Sequence, residues 1–186
     1  ITNDIPKKYM VDDQRFAAER KDVLFFETTP LTEDLTVAGD IIVELLVEMT
    51  GTDADFIVKL NDVYPENIAD EIPYYDGKNM EHYQQMVRAD VMRGRFRNSF
   101  EYPEPFESNK VTMVKFELLD ILHTFKKGHK IMVQVQSTWF PLVDINPQNY
   151  VENIYKAEKE DFVSSTIKIH HSKEFPSNIT LKILTE

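Results

Sequence analysis

The chain has 186 residues, 42% of them hydrophobic and 11% aromatic, which is enough to form the core of one sizeable globular domain. A formal net charge of -11 argues against nucleic-acid binding, which needs a basic patch. Without cysteine the chain has neither disulfides nor thiolate metal sites, and its apolar runs are too short for a membrane span.

The first 22 residues are polar and predict a linker or arm, with a helical turn around 12–18. The chain begins with Ile1 rather than methionine, so we expect an excised or processed piece of a longer protein. The arm, 1–22, is expected to lead into one domain, 23–186.

Beyond the arm, apolar and polar side chains alternate with the period of two that is typical of strands with one buried and one wet face. The alternation predicts strands at 23–28, 41–49, 54–64 and 85–97. In the third of these strands it places Phe56, Val58 and Leu60 in the core. It places Lys59 and Asn61 on the wet face.

The clearest alternation lies in residues 111–141. It predicts two strands and a polar link, 120–130, whose Lys-Lys-Gly turn lets the glycine adopt a positive φ. Proline cannot donate to a ladder, so the second strand should end before Pro141 and leave Trp139 and Phe140 at its end. We expect four side chains to be buried between two sheets: Leu45, Phe56, Phe116 and Val133.

The rest of the chain predicts two long excursions, a connection and two closing strands. In order these are a loop at 66–83, a connection at 100–110, a partly helical excursion at 144–162, and strands at 163–171 and 177–184. Gly94 is expected to form a bulge. Many short strands without intervening helices indicate an all-β sandwich or jelly roll.

Several segments, in order along the chain, carry a resemblance to a known family. They are Asp-Gln-Arg-Phe-Ala at 13–17, Pro-Leu-Thr-Glu-Asp-Leu at 30–35, the run 55–65, Arg-Gly-Arg-Phe-Arg at 93–97, His-Thr-Phe-Lys-Lys-Gly-His-Lys-Ile at 123–131 and Ser-Thr-Trp-Phe-Pro at 137–141. Together they resemble the C-terminal β-domain of the X-Pro dipeptidyl-peptidase and cocaine-esterase type of acyl hydrolases. The resemblance is closest to the glutaryl-cephalosporin acylases and α-amino-acid ester hydrolases.

This resemblance implies a jelly-roll β-sandwich of the galactose-binding-like type. It also implies that the Ser-His-Asp triad belongs to an α/β-hydrolase domain that precedes this one in the parent chain. That catalytic domain is the expected partner, and the parent could form homo-oligomers. The compartment stays open between the bacterial cytoplasm and, if the parent carries a signal peptide, the periplasm or exterior.

Nothing in the sequence predicts a catalytic, metal or cofactor residue. No serine lies in the G-x-S-x-G context that exposes a nucleophile on a strand-to-helix elbow. His170 and His171 are adjacent on a strand and point to opposite faces, which disfavours chelation of one ion. His123 and His129 flank the Lys-Lys-Gly turn and are predicted to bond the backbone.

Three acids could form a calcium cluster, namely Asp53, Asp55 and Asp62. Hard cations take carboxylate oxygens, but the spacing fits no known calcium loop. The favoured interpretation is therefore structural, with Lys59 near enough to Asp62 to pair with it.

Two groups of residues are candidates for contact with a partner. Trp139, Phe140 and Tyr150 are candidates for facing the hydrolase domain or its pocket, although a tryptophan at a strand end could also plug the core. Three arginines recur at every second position of one predicted strand, either to meet an acidic partner or to stay solvated: Arg93, Arg95 and Arg97.

The leading hypothesis is a non-catalytic domain that braces a serine acyl hydrolase and shapes its pocket. An apolar patch is then expected near 139–141, the arm at 9–16 and the loop 144–155. The alternative is a carbohydrate-binding jelly roll, by fold analogy alone. An independent enzyme is the third hypothesis, and nothing in the sequence favours it.

Overall fold

The computed structural model describes residues 9–18, 20–70, 74–75 and 77–185. Its regular elements are α1 Arg15–Ala18, β1 Val23–Glu27, β2 Leu35–Met49, β3 Asp55–Val63, β4 Tyr74–Tyr75, β5 Lys78–Asn79, β6 Gln84–Arg93, β7 Thr112–Phe125, β8 Lys130–Gln136, β9 Ile167–His170 and β10 Asn178–Ile183. Short 3-10 turns occur at Tyr9–Val11, Glu66–Asp70, Gly94–Phe96, Ile154–Lys156 and Lys159–Asp161. Predictions for residues 1–8, 19, 71–73, 76 and 186 lie outside the described residues.

Two antiparallel sheets face each other. The first sheet has the strand order β1-β8-β3-β6, and the second has the order β10-β2-β7 with β9 also paired to β2. β4 and β5 form a separate two-stranded ribbon inside the predicted loop 66–83. The predicted all-β sandwich is therefore confirmed. The chain crosses repeatedly between the sheets, which favours the jelly-roll connectivity that remains a prediction.

The core lies between the sheets, where the inward side chains of β2 and β7 meet those of β3, β6 and β8. Leu45, Phe56 and Phe116 are buried there, as the alternation predicted. Val133 is only half-buried and packs at the margin of this core. The predicted register of inward and outward faces in β2 and β7 is therefore confirmed.

The predicted polar link at 120–130 is wrong for its first half. β7 continues through it to Phe125, because Ile121 and Phe125 are buried and pair with Gly39 and Leu35 of β2. The turn is confined to 126–129, where Gly128 takes the predicted positive φ of 85°. β7 and β8 then enter different sheets.

The predicted wet face of β3 is also wrong. Lys59 and Asn61 are fully buried, and so is Gln134 on neighbouring β8. β3 lies between β8 and β6, and the arm packs over the outer face of this sheet, burying Gln14 and Ala17. Both faces of β3 are therefore removed from water, the apolar face in the core and the polar face beneath the arm.

The predicted strand 85–97 ends at Arg93 and turns into a 3-10 helix at Gly94, so the predicted bulge is wrong. Gly94 donates its N–H to the carbonyl of Ala54 at 2.8 Å. A Cβ at this position would lie 2.5 Å from the Phe106 ring and 2.7 Å from that carbonyl. The close approach of two backbone segments therefore requires glycine here.

Candidate interdomain surface

Lys59 brings the arm and the Trp139 segment together over β3. Its Nζ donates a hydrogen bond to Gln14 Oε1 at 2.9 Å. The same Nζ lies 5.6 Å from the centre of the Phe16 ring and 5.5 Å from that of Trp139, which is cation–π distance. Burial, followed by the charge of Arg20, lowers the pKa of Lys59 to about 8. The expected neighbourhood of arm and Trp139 is thus present.

Trp139 begins a tight turn just after the end of β8. The N–H groups of Leu142 and Val143 both donate to its carbonyl, at 2.8 and 3.1 Å. Trp139 and Phe140 are half-buried and Leu142 is exposed. On the arm, Met10, Val11 and Phe16 are exposed. We call these side chains the arm–Trp139 surface: Met10, Val11, Phe16, Trp139, Phe140 and Leu142.

An open groove extends this surface beyond Leu142. Phe100 and Tyr155 line it together with Leu142 and Arg93, and both aromatic side chains are about four-fifths exposed, at 81% and 80%. Phe100 stacks on Phe96 with a centroid distance of 6.3 Å. Phe100 lies in the segment that the sequence predicted only as a connection. Its exposure has no signal in the local pattern.

Other exposed apolar side chains lie outside this surface. They include Leu24, Phe25 and Phe26 on the edge strand β1 and Leu119 and Leu122 on β7. Strand alternation alone does not predict them, because both faces of β1 carry apolar residues.

Tyr150 is half-buried and packs on its own domain. The guanidinium of Arg95 lies 4.6 Å from its ring centre, and its hydroxyl donates to the carbonyl of Pro103 at 3.3 Å. Among the three residues predicted to face a partner, Tyr150 is therefore held by internal contacts. Trp139 and Phe140 belong to the turn at the arm.

The three arginines do not line one strand face, because the strand ends at Arg93. Each is turned inward to a partner of its own. Arg93 Nε and Nη2 donate to the two oxygens of Asp55, both at 3.0 Å. Arg95 Nε donates to Asp53 at 2.7 Å, and Arg97 stacks on Phe106 at 4.1 Å.

The three acids of the conceivable calcium cluster are divided between separate partners. Asp53 and Asp55 pair with the arginines just described, and burial raises the pKa of Asp55 against the opposing effect of Arg93. Asp62 is bonded by His123 Nε2 at 2.8 Å and His129 Nδ1 at 2.7 Å, so the predicted Lys59 pair is wrong. Lys59 and Asp62 point to opposite faces of β3.

The histidine bonds correct the prediction that both rings would bond backbone. Burial acts to raise the pKa of Asp62, but the bonds to His123 and His129 outweigh it and leave that pKa below its ordinary value. Within the described ranges, no group of three or more His, Asp or Glu side chains is placed to hold a metal ion. No helix among those residues is long and apolar enough to cross a membrane.

Comparisons with known proteins agree on one family. A family model described as the X-Pro dipeptidyl-peptidase C-terminal non-catalytic domain matches residues 5–180. The cocaine esterase of Rhodococcus sp. (strain MB1 Bresler) is 33% identical over 172 residues, which is 92% of this chain and 27% of that protein.

Two solved structures share the fold closely. An aminopeptidase from a marine sediment archaeon, Thaumarchaeota archaeon, is 42% identical with a TM-score of 0.88, and an α-amino acid ester hydrolase is 44% identical with a TM-score of 0.88. Each match covers 95% of this chain and 28% of the larger one. The sandwich, the matched residues and these relatives show that the chain belongs to the family of X-Pro dipeptidyl-peptidase C-terminal non-catalytic domains.

Proposed function

We propose that this chain braces an α/β-hydrolase domain within one parent chain, with 1–22 as the linking arm and 23–186 as the sandwich. The Ser-His-Asp triad of that domain would cleave an ester or amide by acyl transfer. Two relatives are named as an aminopeptidase and an ester hydrolase, and the chain spans only 28% of their length. The family's non-catalytic description supports the same division of labour.

The arm–Trp139 surface is the observation that carries the proposed contact. Phe16, which is exposed, and Trp139, which is half-buried, come from segments far apart in sequence and meet there over one lysine. Large exposed apolar patches on monomeric proteins mark interaction sites, and tryptophan is enriched among the residues that dominate binding. The neighbouring groove at Phe100 and Tyr155 extends the apolar area. We propose that Trp139 and Phe140 face the hydrolase domain there, with Tyr150 supporting them.

Calorimetric titration of the chain with the separately expressed catalytic domain of its parent tests the contact. We expect Trp139→Ala to weaken the association by about tenfold or more, because it removes a central aromatic anchor. Leu122→Ala is the matched control. It removes an apolar side chain that is 77% exposed on β7, in the other sheet, and should bind like the wild type. Equal loss in both variants, or in neither, contradicts the proposed surface.

A second titration, with soluble oligosaccharides, addresses the carbohydrate alternative. The comparisons do not favour that alternative. Saturable sugar binding that is lost in Trp139→Ala, without association to the catalytic domain, would reverse the assignment.

A further inference from the structure

Two arginines hold both ends of the segment that follows the Trp139 turn. Arg93 Nη2 donates to the carbonyl of Asp144 at 3.1 Å while it pairs with Asp55. Arg95 Nη1 donates to the carbonyl of Val151 at 2.7 Å while it pairs with Asp53. The segment 144–151 is therefore fixed at its first and last residues by two arginines, one at the end of β6 and one in the 3-10 turn that follows it.

The carboxylates behind the arginines make this attachment rigid. Asp53 and Asp55 are 0% and 2% exposed, and Asp55 also accepts a hydrogen bond from Asn146 at 2.9 Å. Charge-assisted bonds between guanidinium and carboxylate groups are short and directional, so each arginine has a defined position. Asp53 lies in the turn between β2 and β3, and Asp55 is the first residue of β3. The arginines therefore fix the segment relative to the β2–β3 turn.

Contacts from the β2–β3 turn also hold the middle of the segment. Thr52 Oγ1 donates to Asn149 Oδ1 at 3.1 Å and accepts the N–H of Tyr150 at 2.8 Å. The Thr52 N–H donates to the carbonyl of Gln148 at 3.1 Å. A Cβ on Gly51 would lie 2.2 Å from that carbonyl, so the turn and the segment are in close contact. The segment has no freedom to slide along the turn.

From these contacts we infer that Arg93 and Arg95 are positioning residues for the interdomain surface, holding the segment 144–151 so that Trp139 and Leu142 are presented to the hydrolase domain. This inference rests on the proposed function. The connection is short, because Asp144 directly follows the turn in which Leu142 and Val143 bond the Trp139 carbonyl. Loss of the Arg93 contact frees that turn at its C-terminal end.

The test uses the double variant Arg93→Met/Asp55→Asn, which removes the contact to Asp144 without leaving a buried carboxylate unpaired. Thr52→Val is a milder second variant that releases Asn149 and Tyr150 and keeps both ion pairs. Arg97→Met is the matched control, because Arg97 comes from the same turn but bonds the carbonyls of Gly94, Glu104 and Pro105. Circular dichroism confirms folding of each variant.

The first measurement is acrylamide quenching of Trp139, the single tryptophan of the chain. We expect stronger quenching in the double variant and in Thr52→Val than in Arg97→Met. The second is a binding cycle with Trp139→Ala against the catalytic domain. We expect the double variant to weaken binding about tenfold alone and to add little once Trp139 is absent.

The outcomes separate the inference from the proposed function. If Trp139→Ala weakens binding but the segment variants do not, or if their effects add fully, the inference is wrong and the interface stands. If Trp139→Ala leaves binding unchanged, the proposed interface is wrong, and the positioning role falls with it. Quenching equal to that of Arg97→Met in both segment variants also overturns the inference.

Discussion

Lys59 shows how a single buried cation organises the outer face of a sheet. A fully buried ammonium group is costly unless it is bonded, and here it meets an amide oxygen and two aromatic rings. The arm and the Trp139 turn supply those groups, so both are drawn to the same point over β3. The contacts that surround the lysine are therefore the same contacts that bring the arm and the Trp139 turn together in the proposed interface.

The depressed pKa of Lys59 makes stability depend on alkaline pH. Between pH 8 and 10.5 the unfolded chain holds a proton that the folded chain has lost, so the free energy of unfolding rises with pH in that window. Below the window both states are protonated, and the folded state bears the whole cost of about 3 kcal/mol. In Lys59→Met we expect a smaller pH slope between pH 8 and 10, measured by denaturant unfolding at several pH values.

An exposed lysine provides the control for this experiment. Lys115 on β7 is paired with Glu44 at the surface, and Lys115→Met should keep the wild-type slope. Equal slopes in wild type and Lys59→Met would mean that the lysine titrates as in water and is not buried.

At the level of elements, β7 contributes a row of buried side chains through which its sheet packs against the other sheet. It pairs along nearly the whole of β2, and Val43 stands opposite Phe116. Val114, Phe116 and Leu118 point to the other sheet and are buried, while Leu119 on the same strand is exposed. One strand therefore supplies both a core face and a solvent face.

Phe116→Ala should lower the free energy of unfolding by about 3–5 kcal/mol, since it leaves a cavity between the sheets. Leu119→Ala on the same strand should change it by no more than about 0.5 kcal/mol, because its side chain is 63% exposed. Thermal and denaturant unfolding measure both. An unchanged melting temperature in Phe116→Ala would show that the inward register of β7 is wrong.

Alternation predicted the inner faces of β2 and β7 because apolar side chains at every second position lie on the same face of a strand, and that face is buried. It failed for β3, where Lys59 and Asn61 are polar and yet buried, since periodicity does not reveal what covers the second face of a central strand. It also did not predict that β7 and β8 belong to different sheets, because strand pairing depends on contacts between residues that are distant in sequence. The side-chain partners of Asp53, Asp55 and Asp62 are of this kind and carry no local signal.

On the scale of the whole molecule, the chain is a sandwich with apolar side chains left at its surface despite a net charge of -11. Its core is buried between the two sheets, and its described ion pairs include buried ones at Asp53 and Asp55 and surface ones such as Lys115 with Glu44. The arm–Trp139 surface and the groove beside it are among the apolar areas that the fold presents outward. Under the proposed function, a domain built in this way would stabilise the hydrolase domain by contact.

Hydrolysis assays on three samples test the central claim most directly: the chain alone, the catalytic domain of the parent alone, and the two together, with p-nitrophenyl esters and X-Pro p-nitroanilides. We expect the chain alone to turn over no substrate above the buffer rate, because no serine of the sequence lies in the G-x-S-x-G context of an activated nucleophile. Added to the catalytic domain, it should raise the temperature at which that domain loses activity, by binding its native state. Turnover by the chain alone that a serine-directed phosphonate abolishes, or a catalytic domain indifferent to its presence, would contradict the account.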